Sequence, residues 1–431
     1  MRSTSRNPFS FESAIRRPWI AAATMSTLCM AYLLQAATPL RLDDDAVDYL
    51  RMAAAVADGR PVPPVPVPIG FPVFLAFLDR AGLGSSFYFV LANCFFLALG
   101  LFSAWKILSD KSMPARWCAM LFALLAIPIV KSVGIALPEA TFFGLSLLAL
   151  WAMSAGHRAS GSKRAWLLGA AFALTAIATS IRLVGVTLVP ALIWSVVSPS
   201  SESGNEGRAG PAGIVWLVVI GLLVAGLVVA VAKSNTFSVY EVWTRIYYSQ
   251  GGLIGQLAKR ATSMARGWGE IVLNLPFSRF RQSGGIFAAA GVTSALVVLL
   301  LMRGWGRPTP ARLYMMTYVI VLAVWPNPSP RLWMPIIPLI IGEIASAIGR
   351  LPKARWTTAL VGTYCAWFAL TGIAALAYTS RITFSGDDFA TAYGRNGGMA
   401  SPGVSEHDPR WLHIKLYTEE AKKVLARYGD R

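Results

Sequence analysis

The sequence predicts an all-α polytopic membrane protein, and three observations carry that expectation. Hydrophobic residues make up 55% of the 431 residues and charged residues only 14%, and the mean hydropathy is +0.54. Apolar runs of roughly 18 residues or more, enough to cross a bilayer as a helix, recur along the chain. The formal net charge of +18 would suggest nucleic acid in a soluble chain. Here the basic residues gather in short connections between apolar runs, the pattern that sets membrane topology, so no nucleic-acid partner is implied.

Runs able to span fall at about 18–39, 85–108, 115–135, 137–156, 164–181, 183–198, 211–232, 284–302, 312–326, 331–349 and 356–379, about 11 transmembrane helices. The first follows Arg16 and Arg17, but the stretch from Pro18 to Leu40 is longer than a signal-peptide core and lacks a clear A-x-A site, so an uncleaved anchor is expected. With residues 1–17 in the cytoplasm, the inner connections hold Lys106, Lys111 and Arg116, then Arg158, Lys163 and Arg164, then Arg303, Arg307 and Arg312, then Arg350, Lys353 and Arg355. The polar 198–211 connection is the exception. The outer face then receives the first loop (41–84), a long amphipathic loop (233–283) and a short tail (380–431), around a membrane domain of 18–379. Cys29, Cys94, Cys118 and Cys365 lie inside apolar runs without paired spacing, and the three histidines form no ligand motif. Neither a disulfide framework nor a zinc site is indicated.

The first outer loop divides in two. A helix is expected from about Asp45 to Ala57, with Ala46, Tyr49, Leu50, Ala53, Ala54 and Ala57 on one face, lying along the interface. Prolines at 61, 63, 64, 66 and 68 then favour an extended polyproline strap before GFPVFLAFL turns apolar again. The long loop carries Lys233, Arg245, Lys259, Arg260, Arg266, Arg279 and Arg281 against Glu241 and Glu270. That excess, with Arg245 amid the aromatics of EVWTRIYYSQGG, suits an anionic head group at the membrane face.

Four aspartates, 43, 44, 45 and 48, crowd the start of the interfacial helix. Helix capping accounts for Asp45 as the cap and Asp48 as the third residue, but it does not require Asp43 and Asp44 as well. A carboxylate held there is also a candidate general base for an acceptor hydroxyl, and the two roles are compatible. Three more ionisable residues fall at expected outer ends of spans, where charge is uncommon and often functional. Glu139 follows Pro138 in ALPEATFFGL, which also fits simple helix-start chemistry. Arg182 interrupts an apolar stretch, where snorkelling is the plain alternative. Arg331 follows Ser329 and Pro330, a cap and first position that would aim backbone N–H groups outward as an anion site. Lys131, near the outer end of the third span, is expected to pair with Glu139 or join the same face. Acids opposed by cations on one face suit deprotonation of a hydroxyl while a lipid phosphate departs, and a single inverting displacement needs only one base.

Here the sequence resembles the GT-C glycosyltransferases, most closely the bacterial branch related to protein mannosyltransferases and lipid A aminoarabinose transferases, over most of residues 18–349. The D-x-x-x-Y element is matched by Asp45 and Tyr49, and the following P-x-G-x-P segment by Pro68, Gly70 and Pro72. The acid opening the fourth span is matched by Glu139, the arginine before a G-x-x-x-x-P run by Arg182, and R-Y-x-x-P-x-x-P by Arg331, Pro335 and Pro338. Leucine stands at 332 where the family's pattern has tyrosine. The resemblance implies a GT-C-type bundle in a bacterial inner membrane, with its active site facing the periplasm. It also implies transfer of a sugar from a polyprenyl-phosphate-linked donor to a glycan, lipid or protein acceptor, with membrane lipids around the bundle. Asp45 would be the base, assisted by Asp44 and Asp48, with Glu139 a second acid. Tyr49, Lys131, Arg182, Arg245 and Arg331 would contact substrate or phosphate. No certain cofactor is implied; a divalent cation, magnesium or manganese, is left open. The alternatives are a transporter or flippase of lipid-linked substrates, which would show broken helices, and an O-antigen polymerase or ligase.

Overall fold

A computed structural model of the protein describes residues 18–37, 40–42, 44–63, 67–198, 252–277, 280–302, 308–325, 329–350, 354–384 and 409–429. Among these residues the structure is helical, with one isolated bridge between Arg41 and Ile135. Among the described residues seven helices are long and apolar enough to cross a membrane, or eight if one bent pair counts as a single span. The protein is an all-α polytopic membrane protein.

The chain opens with α1 (Pro18–Leu34), α2 (Asp44–Ala57), α3 (Gly70–Arg80) and α4 (Ser86–Ile107). Next come α5 (Met113–Leu125), α6 (Ile127–Val133), α7 (Pro138–Arg158), α8 (Gly161–Ile181) and α9 (Val189–Val197). The later elements are α10 (Gly252–Leu273), α11 (Gly284–Met302), α12 (Pro310–Val324), α13 (Ile337–Ile348), α14 (Arg355–Phe384) and α15 (Pro409–Tyr428). Seven of the eleven expected spans are long helices. Two others are too short to cross alone: 183–198 is a 3-10 turn running into α9, and 312–326 is the 15-residue α12. The span expected at 211–232, and with it Arg245, lies outside the described residues.

The third expected span is broken. Helices α5 and α6 meet at 54° around Ala126, because Pro128 has no N–H to give and its ring excludes the carbonyl one turn back. The groups freed by the break are taken up by side chains. Tyr32 Oη donates to the Leu124 carbonyl, and Asn274 Nδ2 donates to the Leu125 carbonyl at 3.0 Å while its Oδ1 accepts from Ile127 N at 2.9 Å. Asn274 also donates to the Phe368 carbonyl of α14 at 3.0 Å, so one buried amide ties three elements together.

The segment read as a long surface loop contains α10, which packs along α11. A Cβ on Gly269 or Gly291 would overlap the backbone of Phe287 or Ala265, so glycine at both positions lets the two helices touch. Arg260 and Glu270 of α10 are buried. They serve the interior, whereas the sequence reading sets the charges of this segment at the membrane face, toward an anionic head group. Helix α2 buries Ala46, Leu50 and Ala53 of its expected apolar face completely and Val47 with them, leaves Ala54 and Ala57 half-buried, and carries Asp45, Asp48 and Arg51 on its other face.

Candidate active site

Four elements end at one place and each delivers one ionisable side chain. Asp45 lies in the first turn of α2, which begins two residues earlier than the cap role for Asp45 requires. Glu139 occupies the first turn of α7 behind Pro138, as its sequence context implies. Arg182 ends α8: its backbone is extended (φ −146, ψ 130) and a 3-10 turn, Leu183–Leu188, follows. Arg331 sits in a second 3-10 turn, Pro330–Ile336, between α12 and α13.

These four side chains form one alternating chain of charge. Arg331 Nη2 is paired with Asp45 Oδ2, and Arg331 Nε lies 3.2 Å from Glu139 Oε1. Arg182 Nη1 donates to that same Glu139 oxygen. The two acids differ in what they can do. The Asp45 side chain is 46% exposed and reachable by an incoming hydroxyl, whereas that of Glu139 is 2% exposed and shares one oxygen between two guanidinium groups. Glu139 therefore acts as the buried counter-charge that fixes both arginines. Asp45 is the carboxylate positioned to meet a ligand.

Neighbouring aromatics fix the frame. Tyr49, a helical turn beyond Asp45, is buried with its ring edge-on to Phe71 of α3 at 5.3 Å. Tyr318 Oη donates to the Leu332 carbonyl at 2.6 Å, pinning the turn that carries Arg331, and Trp333 of that turn meets Trp268 of α10 at 4.9 Å. Leucine at 332 leaves no local phenol, and a tyrosine from α12 reaches the same turn.

The remaining expected residues divide. Lys131 pairs with Glu270 of α10 at 3.0 Å instead of Glu139, because the break places α6 against α10. Asp48 pairs with Arg51 at 3.6 Å, toward α15. Asp44 is placed by its backbone at the start of α2, and Asp43 and Arg245 lie outside the described residues. The helix-start anion site expected at Ser329 is corrected: Ser329 makes no side-chain cap bond and the element is a 3-10 turn of 7 residues, so the guanidinium is the group that Arg331 presents here. Glu270 and Arg41 were not anticipated as site neighbours. Arg41, just ahead of α2, is buried, donates to the Thr379 carbonyl at 3.0 Å, and is lowered to about 10 by burial. Both depend on contacts distant in sequence, so spacing gives no sign of them.

Among the described residues no three acidic, histidine or cysteine side chains gather as a metal-ligand set. Among the described residues Asp45 and Glu139 already direct oxygens at arginine, so these two acids do not fit a resident divalent cation.

No family model matches this chain, and neither does any curated protein. Among solved structures it is similar to the crystal structure of ArnT from Cupriavidus metallidurans bound to undecaprenyl phosphate, with 18% sequence identity and a TM-score of 0.49, covering 96% of this chain and 76% of that one.

Proposed function

We propose that the protein is an inverting membrane glycosyltransferase of the GT-C type, moving a sugar from a polyprenyl-phosphate donor to a hydroxyl acceptor. The observation that carries this reading is Arg331 held between Asp45 and Glu139, with Arg182 on the far side of Glu139. Two guanidinium groups at fixed separation suit a phosphate, and a carboxylate beside them suits a hydroxyl proton. In the proposed reaction the donor phosphate takes the Arg331 face now occupied by Asp45. The freed Asp45 carboxylate accepts the acceptor's proton as its oxygen bonds to the anomeric carbon. The bond from that carbon to the phosphate oxygen breaks, and the phosphate leaves with the electron pair toward Arg331 and Arg182. One displacement inverts the configuration, and no second nucleophile is needed. Glu139 stays in place throughout, keeping both arginines aimed.

The broken α5–α6 span is the feature that speaks for a transporter, since transporters place substrates at helix breaks. At this break the Leu124 and Leu125 carbonyls and the Ile127 N–H are already bonded by Tyr32 and Asn274, so these groups offer nothing to a passing substrate.

The test is incubation of the purified protein in lipid with a panel of polyprenyl-phosphate sugars, scoring free polyprenyl phosphate with and without EDTA. Release dependent on Asp45 and insensitive to EDTA is expected. If no donor is consumed by the intact protein with a range of hydroxyl acceptors, the glycosyltransferase reading fails.

A further inference from the structure

The C-terminal helix α15 reads in the sequence as a short appendage, yet it ends against the helix that carries Asp45. Ala421, Val424 and Tyr428 form one buried face, and the Tyr428 ring meets Phe89 of α4 at 5.5 Å. Beside that ring, Arg427 closes a clasp. Its Nη1 and Nη2 each lie 2.8 Å from an oxygen of Asp58, one residue past the end of α2. Its Nε and Nη2 reach Asp79 Oδ2, near the end of α3, at 3.1 and 2.7 Å, and Tyr428 Oη reaches the same oxygen at 3.1 Å. A second arginine completes the joint: Arg80 Nε and Nη2 donate to the Ala57 and Val56 carbonyls at 3.0 and 2.8 Å, capping the last turn of α2. Further along α2, Arg51 Nη1 lies 4.0 Å from Glu420 of α15.

The geometry has a mechanical consequence. Asp45 and Asp58 lie at opposite ends of one rod about 20 Å long, at 1.5 Å per residue. A rod held by an apolar face can rock about that face, and what happens at one end is felt at the other. At the Asp45 end the tie made by the helix's own side chains is the ion pair to Arg331, which the proposed reaction must open to admit phosphate, while Arg41 holds the chain just ahead of the helix to Thr379 and Ile135. While that pair is open, the orientation of α2 depends on its apolar face, on the backbone entry held by Arg41, and on the clasp at its far end. Asp58 and Asp79 carry like charge, and the fork of Arg427 joins the two helices they belong to.

We infer that α15 sets the position of Asp45, with Arg427 as a positioning residue that anchors the far end of α2 while Arg331 is engaged by substrate. The effect on turnover rests on the reading of Asp45 as the base; the anchoring of α2 does not. Displacement of a reacting group by about 1 Å can cost on the order of a hundredfold in rate, so the loss should fall on the chemical step.

The experiment uses the full-length protein in lipid nanodiscs, comparing the parent with Arg427→Ala, Arg427→Lys and Tyr428→Phe. Amide hydrogen exchange is followed across residues 44–57, with 138–158 as reference, and kcat and KM for the polyprenyl-phosphate sugar are measured beside it. Arg427→Ala should speed exchange in 44–57 and leave 138–158 unchanged. It should also lower kcat by about tenfold to a hundredfold with KM for donor within about twofold. Arg427→Lys, which keeps the charge without the fork, should recover part of both losses, and Tyr428→Phe should show the smallest change. Unchanged exchange in 44–57 for Arg427→Ala overturns the anchoring, whatever the substrate is. Faster exchange with unaltered kcat overturns the positioning of Asp45. If the parent protein turns over no donor, the glycosyltransferase reading fails separately, and the exchange data alone decide whether α15 anchors α2.

Discussion

Arg331 reaches Asp45 across 286 residues of sequence, and the same guanidinium reaches Glu139 through its Nε at 3.2 Å. One cation therefore holds the exposed acid and the buried acid together. In the proposed reaction a phosphate that competes for Arg331 would release Asp45 without disturbing Glu139, so that donor arrival and the appearance of a free base would be coupled.

Replacing Asp45 by Asn removes the proton acceptor and keeps the shape. Turnover should fall by about 10²–10⁴-fold, the contribution of a positioned general base. Donor affinity should be retained, because Arg331 loses only a competitor. Release of polyprenyl phosphate and equilibrium donor binding, measured on the same preparation, check both halves. Retained turnover would remove Asp45 from the role.

Arg331→Ala should weaken donor binding and reduce kcat/KM by about 10²–10³-fold, the scale seen when a preorganised stabiliser of developing charge is deleted. Arg331→Lys should recover little of it. An ammonium is a point charge and cannot face Asp45 with one nitrogen and Glu139 with another. Donor affinity equal to that of the parent in the Ala variant would count against the phosphate role.

Glu139→Gln tests the buried counter-charge. Arg182 and Arg331 both point at Oε1 of a side chain that is almost wholly buried, so neutralising it leaves two cations facing one amide. Breaking a buried pair from one side costs about 3–5 kcal/mol, and a lowered thermal unfolding midpoint in detergent should accompany loss of donor turnover. A midpoint equal to that of the parent would mean that Glu139 does not hold the arginines.

Much of this site was legible because its residues announce themselves locally. An acid behind a proline at a helix start, an arginine ending an apolar run and an acid at the head of an amphipathic helix are each out of place in an apolar chain, and Glu139, Arg182 and Asp45 were found that way. Partners were harder to read. Lys131, near the outer end of its expected span, reads as a partner of Glu139 or a member of the same face, but the Pro128 break turns α6 toward Glu270. Arg427, Asp58 and Asp79 look like ordinary surface charges, and contacts 348 and 369 residues apart leave no spacing to detect. Helix boundaries near prolines also escaped, since Pro330 and Pro335 give a 3-10 turn where an α-helix start was expected.

The clasp has a pH dependence whose sign follows from Asp58. Hydrogen bonds from Arg427, and next from Arg60, hold its carboxyl down from 3.8 to about 2. A depressed carboxyl stabilises the docked helix fully above its unfolded value of about 4, and that contribution is lost as pH falls through about 2. Burial keeps the Tyr428 phenol above its usual range, so it remains a donor to Asp79 on the alkaline side. A nitroxide attached at Lys423→Cys, on the exposed side of α15, should give a broad, immobilised spectrum at neutral pH that sharpens between about pH 4 and pH 2. Sharpening that begins near pH 6 would exclude Asp58 as the controlling group.

Asn274 governs the broken span through two separable effects. Its φ of +51° is a left-handed conformation that asparagine tolerates better than most residues, and its side-chain amide makes three buried hydrogen bonds, to Leu125, Ile127 and Phe368. Asn274→Gly relieves the conformation but deletes the bonds, while Asn274→Ala loses the bonds and adds strain. Each buried group left unsatisfied costs about 1–3 kcal/mol, so both variants should unfold at lower temperature, with Ala below Gly. Because the break also aims Lys131 at Glu270, both should expose Lys131 to amine-reactive labelling faster than the parent does. If the Gly variant unfolds at the parent temperature, the bonds do not hold the break and the turn at Pro128 stands on backbone geometry alone.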